Sequence, residues 1–180
     1  ITGKRADDTV ILHHYLINTL NLTQEEAMSI YLVQHGLSIA EGTDSERKLT
    51  EQGIADVTRI ASVAKGYSVN VNRIMHSGKT RALMTADIFS AYLLPPQGIT
   101  QISGIGPMDD VKEFAGTINP ASNIMYVGHL PFMQKLTSYL LTENEMFTVF
   151  RFQNGGIVCL DRESDSTLWH IKWALMPRVQ

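Results

Sequence analysis

The chain has 180 residues, which suits one domain large enough to bury a substantial core. Its hydrophobic fraction of 44% and charged fraction of 18% are typical of globular proteins, and its formal net charge of −3 argues against a nucleic-acid partner or a polybasic membrane surface. The single cysteine, Cys159, excludes an internal disulfide and favours a reducing, cytoplasmic location. No apolar run approaches the ~20 residues that cross a bilayer.

The beginning of the sequence differs from the rest. Residues 9–22 are moderately apolar but are interrupted by polar side chains and lack a small-residue cleavage site, so a secretory signal is not predicted. Residues 23–26 resemble a capped helix start, and Met28 stands just before the first predicted strand. We therefore expect residues 1–27 to be an N-terminal extension, a leader or appended sequence with helical character, and residues 28–180 to form the functional domain.

Three short apolar runs share one ending, a histidine or serine beside a glycine. They cover residues 30–36, 74–78 and 124–129. Short apolar runs that alternate with helical patterns predict parallel strands buried on both faces. Ligands in such sheets bind at the carboxyl ends of the strands. The polar ends of the three runs are therefore predicted to meet in one anion-binding site.

Helical and strand-like segments fill the rest of the chain. Helices are predicted over residues 50–66, with Thr50 as N-cap, and over 80–94, 109–115 and 131–141. We find no linker that divides the sequence, so the pattern predicts one α/β domain with a mostly parallel sheet. The remaining strand-like runs cover residues 99–105, 147–152, 156–160 and 167–174.

Side chains at the predicted strand ends suit phosphoryl transfer. A neutral imidazole is a competent nucleophile at about pH 7, and Gly36 allows a tight bend beside His35. Arg81 stands at the start of a helix, where backbone amides and a guanidinium together hold phosphate, and His129 can stabilise charge on phosphoryl oxygens. Each has a structural alternative: His35 as a core histidine, Arg81 as an exposed helix arginine, and His129 as a helix cap.

Two motifs of other phosphate-binding or phosphatase classes do not fit this sequence. Residues 78–80 imitate a P-loop, but Arg73 occupies the position of its first glycine. A cysteine-dependent phosphatase needs an arginine six residues after its cysteine, and Asp165 holds that place after Cys159. We therefore interpret Cys159 as a buried, inert thiol.

Several segments, in the right order, resemble the histidine phosphatase superfamily. Within it, the chain is similar to the small SixA-type phosphohistidine phosphatases over about residues 28–175. Several motifs with fitting spacing make a far more specific match than any one of them. The four superfamily segments are residues 32–36, 49–53, 76–82 and 127–131, and residues 154–160 are similar to the SixA branch.

The resemblance implies a three-layer α/β/α, phosphoglycerate-mutase-like fold and a phosphoenzyme intermediate on His35. It also implies catalytic roles for Arg81 and His129, with no metal and no organic cofactor. The implied substrate is a protein that carries phosphohistidine, or a small phosphorylated molecule. The neighbouring residues expected to bind phosphate are Gln34, Gly36, Ser77 and Lys79.

Two features depart from the usual family pattern. Gln34 replaces the arginine that usually precedes the catalytic histidine, which removes a positive charge, and Lys79 is a candidate for its replacement. Larger members protonate the leaving group with a glutamate; here the candidate general acid is Asp109 or Asp110, and we favour a helix-start role for both. Because the nitrogen of a phosphoramidate can be protonated before cleavage, the missing glutamate favours phosphohistidine or a similarly activated phosphate.

Two other functions stay open at this point. One is a small-molecule phosphomonoester phosphatase or mutase on the same fold, which a clear carboxylate acid would favour. The other is a weakly active phospho-ligand sensor, disarmed by Gln34. The intact set of His35, Arg81 and His129 argues against the sensor, because binding alone does not need a nucleophile.

Deleting residues 1–27, so that the chain starts at Met28, is expected to leave a folded and active domain. The predicted strands, helices and site motifs all lie downstream of the deletion. Thermal unfolding, size-exclusion chromatography and a phosphatase assay on both forms check this. A large loss of stability, or a changed oligomeric state, would show that the extension is structural.

Overall fold

Six strands of one sheet and four α-helices form the described part of the chain, residues 29–163 and 166–178 of a computed structural model. The predicted extension, residues 1–27, and Met28 lie outside the described residues. The strands are β1 (Ser29–Gln34), β2 (Arg73–His76), β3 (Ile99–Gln101), β4 (Ile124–Gly128), β5 (Ile157–Asp161) and β6 (His170–Leu175). The helices are α1 (Glu51–Gly66), α2 (Thr80–Leu93), α3 (Val111–Ala115) and α4 (Phe132–Thr142), with a short 3₁₀ turn at Pro120–Ser122.

The sheet is mostly parallel, which confirms the prediction from the sequence. Its strand order is β3-β2-β4-β1-β5-β6. The pairs β3–β2, β2–β4 and β4–β1 are parallel, whereas β5 runs antiparallel to both of its neighbours. The carboxyl ends of β1, β2 and β4 therefore lie side by side at one edge of the sheet.

Helices cover both faces of the sheet, so the fold has the predicted three layers. Alternate residues of β1 face opposite sides because side chains alternate along a strand. Tyr31 and Val33 pack in the core that α1 and α2 close, and Ile30 and Leu32 pack in the core that α3 and α4 close. Within the described residues, none of the helices combines the length and apolar character needed to cross a bilayer.

The loop between β1 and α1 folds back onto the end of β1. Thr50 caps α1 as predicted: its Oγ1 accepts a hydrogen bond from the Gly53 N–H at 2.9 Å, and its own N–H donates to the Leu37 carbonyl at 2.9 Å. Gly53 is required at the contact, because a Cβ there would collide with the Leu37 carbonyl oxygen. The start of α1 is thereby fixed against the residues that follow β1.

One strand prediction was wrong, and a second was right only in part. Residues 147–152 form no strand; Phe152 is instead buried in the core and packs edge-on against Phe150, with ring centroids 5.3 Å apart. The two aromatic side chains anchor this segment by packing, so its high strand propensity is not used in the sheet. The predicted strand over 99–105 ends after Gln101, and the residues beyond it form the connection to α3.

Candidate active site

The strand register brings the predicted site residues together. Gln34 pairs with Gly128 across β1 and β4, and the His35 N–H donates to the Gly128 carbonyl at 3.0 Å. His76, the last residue of β2, pairs with Val127 of the same β4 strand. The residues that follow the three strands therefore share one small volume at the sheet edge, as the sequence predicted.

The ring of His35 is held in one tautomer. Its Nδ1 lies 2.7 Å from the carbonyl oxygen of Gly36, which accepts hydrogen bonds only, so Nδ1 carries the proton. Nε2 accepts a hydrogen bond from Nε of Arg81 at 3.1 Å, and an arginine only donates. Two independent contacts thus leave the lone pair on Nε2, which points toward the guanidinium.

Burial keeps this imidazole neutral. His35 is 9% exposed, and desolvation lowers its pKa to about 4. The hydrogen bond to the Gly36 carbonyl acts in the opposite direction, since it favours the protonated ring, and the positive charges of Arg81 and Arg47 lower the pKa further. A ring with this pKa is deprotonated at neutral pH, which is the form a nucleophile needs.

His129 lies against His35 with one ring nitrogen still unpaired. The two ring centroids are 5.0 Å apart, and the hydroxyl of Ser77 lies 2.6 Å from His129 Nε2. Burial lowers the pKa of His129 to about 3, and the His35 ring, when it is protonated, and the positive charges of Arg81, Lys79 and Arg47 lower it further. If the Ser77 hydroxyl donates to Nε2, the neutral ring keeps its proton on Nδ1. Nδ1 is buried and has no hydrogen-bond partner in the described chain, so a contact from a phosphoryl oxygen would satisfy it.

The backbone around His35 is fixed by residues that the sequence did not single out for this task. Asn154 donates to the His35 carbonyl at 3.0 Å, and the Gly155 N–H donates to the Gln34 carbonyl at 2.8 Å. On the other side, Thr85 of α2 accepts from the Gly36 N–H at 2.9 Å. Its hydroxyl donates in turn to the Arg81 carbonyl at 2.7 Å, so one buried threonine connects the segment around His35 to α2, the helix that carries Arg81.

The four predicted phosphate-binding residues differ in their hydrogen-bond partners and in their exposure to solvent. The Gly36 N–H already donates to Thr85, and the Ser77 hydroxyl is engaged with His129. Gln34 is 9% exposed and its Oε1 has no partner within the described residues, whereas Lys79 is exposed at the start of α2. Among these four residues, only Lys79 carries a charge.

The two candidate acids hold backbone groups in the loop before α3. The Asp109 carboxylate accepts from the Gly106 N–H at 2.7 Å. Asp110 caps α3 by accepting from the N–H groups of Lys112 and Glu113, which lowers the pKa of its carboxyl. In residues 29–163 and 166–178, no carboxylate hydrogen-bonds to His35, Arg81 or His129.

Comparison with known proteins identifies relatives in sequence and in fold. No protein-family model matches the sequence. The chain is 24% identical over 159 residues to the phosphohistidine phosphatase SixA of Escherichia coli strain K12, an alignment that covers 83% of this chain and 94% of that protein. Its fold matches the protein histidine phosphatase SixA complexed with tungstate, with a TM-score of 0.71, 21% identity, and coverage of 83% of this chain and 97% of that one.

The chain resembles the SixA proteins of the histidine phosphatase superfamily in both sequence and fold. The same fold recurs in the alpha-ribazole phosphatase from Shigella flexneri, with a TM-score of 0.66, 14% identity, and coverage of 84% of this chain and 98% of that one. The predicted phosphoglycerate-mutase-like fold is confirmed. The names of these proteins are those of phosphatases, which supports a hydrolase of the SixA type while leaving the substrate open.

The low pKa of His35 can be tested by an NMR titration. In phosphate-free buffer, the His35 ring resonances are expected to stay at their neutral positions from about pH 7.5 down to about pH 5, because protonation occurs only as pH falls toward 4. Loss of the signals in the His35→Ala variant assigns them. A titration midpoint near the usual value of about 6.5 would contradict the burial of a neutral ring.

Proposed function

We propose that this chain is a phosphohistidine phosphatase that hydrolyses a protein-borne phosphoramidate through a covalent intermediate on His35. One observation carries the proposal: the His35 ring donates from Nδ1 to the Gly36 carbonyl and accepts from Arg81 at Nε2. A neutral imidazole with its lone pair directed at a guanidinium is arranged to attack a group that the guanidinium binds. The phosphatase names of the similar proteins support the same reading.

The first transfer forms the intermediate. The Nε2 lone pair of His35 bonds to phosphorus while the bond between phosphorus and the substrate nitrogen breaks. If the other ring nitrogen of the substrate imidazole carries a proton, the electron pair of the broken bond yields a neutral imidazole. The positive charge then lies on the phosphorylated His35 ring, where its Nδ1–H faces the Gly36 carbonyl at 2.7 Å.

The second transfer regenerates the enzyme. Water attacks phosphorus, the bond between phosphorus and Nε2 breaks, and its electron pair returns to His35 as the water proton leaves with phosphate or solvent. In both steps, Arg81 and the Nδ1–H of His129 are proposed to bind the equatorial phosphoryl oxygens. Ser77 orients His129, and Gly36 holds the His35 tautomer. Lys79 and Gln34 are proposed to complete the pocket.

The leaving group favours a phosphoramidate over an alkyl phosphate. An alkoxide needs a proton from a general acid as it departs, which is worth about 10²–10⁴-fold in rate. The Asp109 carboxylate accepts the Gly106 N–H, and Asp110 is occupied as a helix cap. A phosphohistidine ring that already carries a proton on its other nitrogen leaves as neutral imidazole, without that help. We therefore propose phosphohistidine as the substrate class and assign neither aspartate a role as general acid.

A protein-borne substrate and a cytoplasmic location are further parts of the proposal. The connection between α2 and β3 covers only residues 94–98, so little chain is available there to form a lid over the site, which favours a protein-borne substrate.

The thiol of Cys159 is buried, which raises its pKa to about 11 and suits a cysteine that stays reduced in the cytoplasm. For the domain organisation, we propose residues 28–180 as the catalytic domain.

The test compares three substrates at equal concentration: a phosphohistidine peptide, the matching phosphoserine peptide and p-nitrophenyl phosphate. We expect kcat/KM for the phosphohistidine peptide to exceed that for the phosphoserine peptide by about 10²-fold or more, because only the serine alkoxide needs an acid. His35→Ala is expected to reduce turnover to below about 1%, since the nucleophile is lost. Arg81→Ala or His129→Ala should reduce it by roughly 10²–10³-fold.

The matched control is His170→Ala, which removes an exposed histidine from the outer strand β6 and is expected to leave turnover unchanged. Thermal unfolding first verifies that each variant is folded. The rate of turnover is then measured as release of inorganic phosphate. Faster hydrolysis of the phosphoserine peptide would favour the small-molecule or phosphomonoester phosphatase. Phosphate binding with no hydrolysis of any substrate would favour the sensor.

A further inference from the structure

One turn, residues 153–156, holds the backbone of the proposed nucleophile. It carries two of the donors described above, the side-chain amide of Asn154 and the N–H of Gly155. The carbonyl groups that accept these hydrogen bonds belong to the two peptide units on either side of the His35 α-carbon. Because those peptide units set the direction of the bond from the α-carbon to the ring, the position of the turn sets the direction of the imidazole.

The 153–156 turn is enclosed on two sides. A hydrogen bond of 2.9 Å between the backbone of its first and last residues closes it, and Gly155 has a φ of 80° within it. A Cβ on Gly155 would lie 2.8 Å from Cγ2 of Val57 in α1, and a Cβ on Gly156 would collide with the sulfur of Met176. The turn therefore packs between α1 and the residues that follow β6.

The side chain of Gln153 attaches the turn to the segment after β6, residues 176–178. Its Nε2 donates to the Arg178 carbonyl at 3.1 Å, and its Oε1 accepts from the Arg178 N–H at 3.0 Å. The amide group thus pairs with both backbone groups of one residue, as a neighbouring strand would. Two hydrogen bonds to one residue fix the orientation of the amide group as well as its distance.

The 176–178 segment is anchored in turn on α1. Asp56 of α1 is 4% exposed, and its carboxylate accepts from Arg59 Nη2 at 2.7 Å and from Gln52 Nε2 at 3.0 Å. The same Arg59 nitrogen donates to the Pro177 carbonyl at 2.6 Å, and a guanidinium nitrogen of Arg178 lies 3.5 Å from Asp56. A buried carboxylate holds such partners firmly, because losing one leaves its charge uncompensated.

These contacts form one connected path from α1 to the site. The Asp56 cluster holds the 176–178 segment, Gln153 joins that segment to the 153–156 turn, and the turn holds the backbone at His35. Gln153 is the link in this path whose two hydrogen bonds can be removed with least change of shape, since methionine has nearly the same length. It can therefore be separated from the packing around it.

We propose that Gln153 is a positioning residue for His35: it fixes the 153–156 turn, and the turn fixes the backbone that directs the imidazole. The inference rests on the proposed function for the role of His35 as nucleophile. It gives Gln153 no contact with the phosphoryl group. Loss of its hydrogen bonds is therefore expected to slow the transfer steps and to leave substrate binding unchanged.

The kinetic test compares Gln153→Met, which removes both hydrogen bonds, with Gln153→Glu, which keeps the acceptor for the Arg178 N–H and loses the donor. With the phosphohistidine peptide, we expect kcat to fall about 5–20-fold in Gln153→Met while KM changes less than about twofold, because a small misdirection of the nucleophile slows chemistry alone. Gln153→Glu is expected to lie between that variant and the wild type.

The matched control is Asn72→Leu, which removes another hydrogen bond from a side-chain amide to backbone. Asn72 Nδ2 donates to the Ser122 carbonyl at 3.0 Å, beside the amino ends of β2 and β4 and so at the far edge of the sheet from the site. We expect this variant to lose some thermal stability and to keep the kcat of the wild type. It separates a positioning role from a general loss of stability.

Hydrogen exchange gives a readout that does not require turnover. The Gly155 N–H, which donates to the Gln34 carbonyl at 2.8 Å, is expected to exchange about 10-fold faster or more in Gln153→Met than in the wild type, because the turn opens locally once it is detached. In Asn72→Leu, exchange of this amide should stay at the wild-type rate.

Thermal unfolding verifies that each variant is folded, and Gln153→Glu replaces Gln153→Met if the methionine variant is unstable. An unchanged kcat in the folded Gln153 variant would overturn the inference, as would a loss confined to KM or an equal loss of kcat in Asn72→Leu. A wild type that hydrolyses no substrate would sink the proposed function, while faster Gly155 exchange would still show that Gln153 holds the turn. Hydrolysis that needs His35 but not Gln153 would do the reverse.

Discussion

The hydrogen bond from His35 Nδ1 to the carbonyl of Gly36 is the interaction on which the site depends. It fixes the tautomer, and the tautomer decides which nitrogen is free to attack. The segment around it is held from three directions, by the Gly128 carbonyl, by Asn154 and by Thr85. These three contacts restrain the backbone of His35 and Gly36, and the Nδ1 hydrogen bond restrains the ring, so the Nε2 lone pair keeps one direction. Positioning of this kind is a large part of how enzymes lower a barrier to phosphoryl transfer.

Burial and local charge prepare the site for an anion. Desolvation keeps His35 and His129 neutral, and the surrounding cations reinforce that effect. Arg81 donates to His35 Nε2, the atom that we propose as the nucleophile. We propose that an entering phosphoryl group draws this guanidinium onto its oxygens, which frees the lone pair. Its negative charge also favours a protonated His129, which then becomes a stronger donor.

The sequence predicted the parallel strands and the convergence of His35, Arg81 and His129, because buried strands and their polar ends leave a local pattern. It did not predict the contacts of Thr85, Asn154 or Gln153. Those contacts join segments far apart in the chain, or depend on how a polar loop folds back, and neither leaves a periodic signal. The apolar run at 147–152 was predicted as a strand because its aromatic residues suit one; in the folded chain the same residues are used for packing.

The central claim is that Nε2 of His35 is the attacking atom. Mixing the enzyme with a phosphohistidine peptide and quenching in alkali, which preserves phosphoramidates, allows the phosphorylated residue and ring nitrogen to be found by tandem mass spectrometry and NMR. The account predicts one phosphoryl group on His35, attached to Nε2, and none in His35→Ala. Phosphate on Nδ1, which would require the hydrogen bond to Gly36 to be broken, or on any other residue, would contradict it.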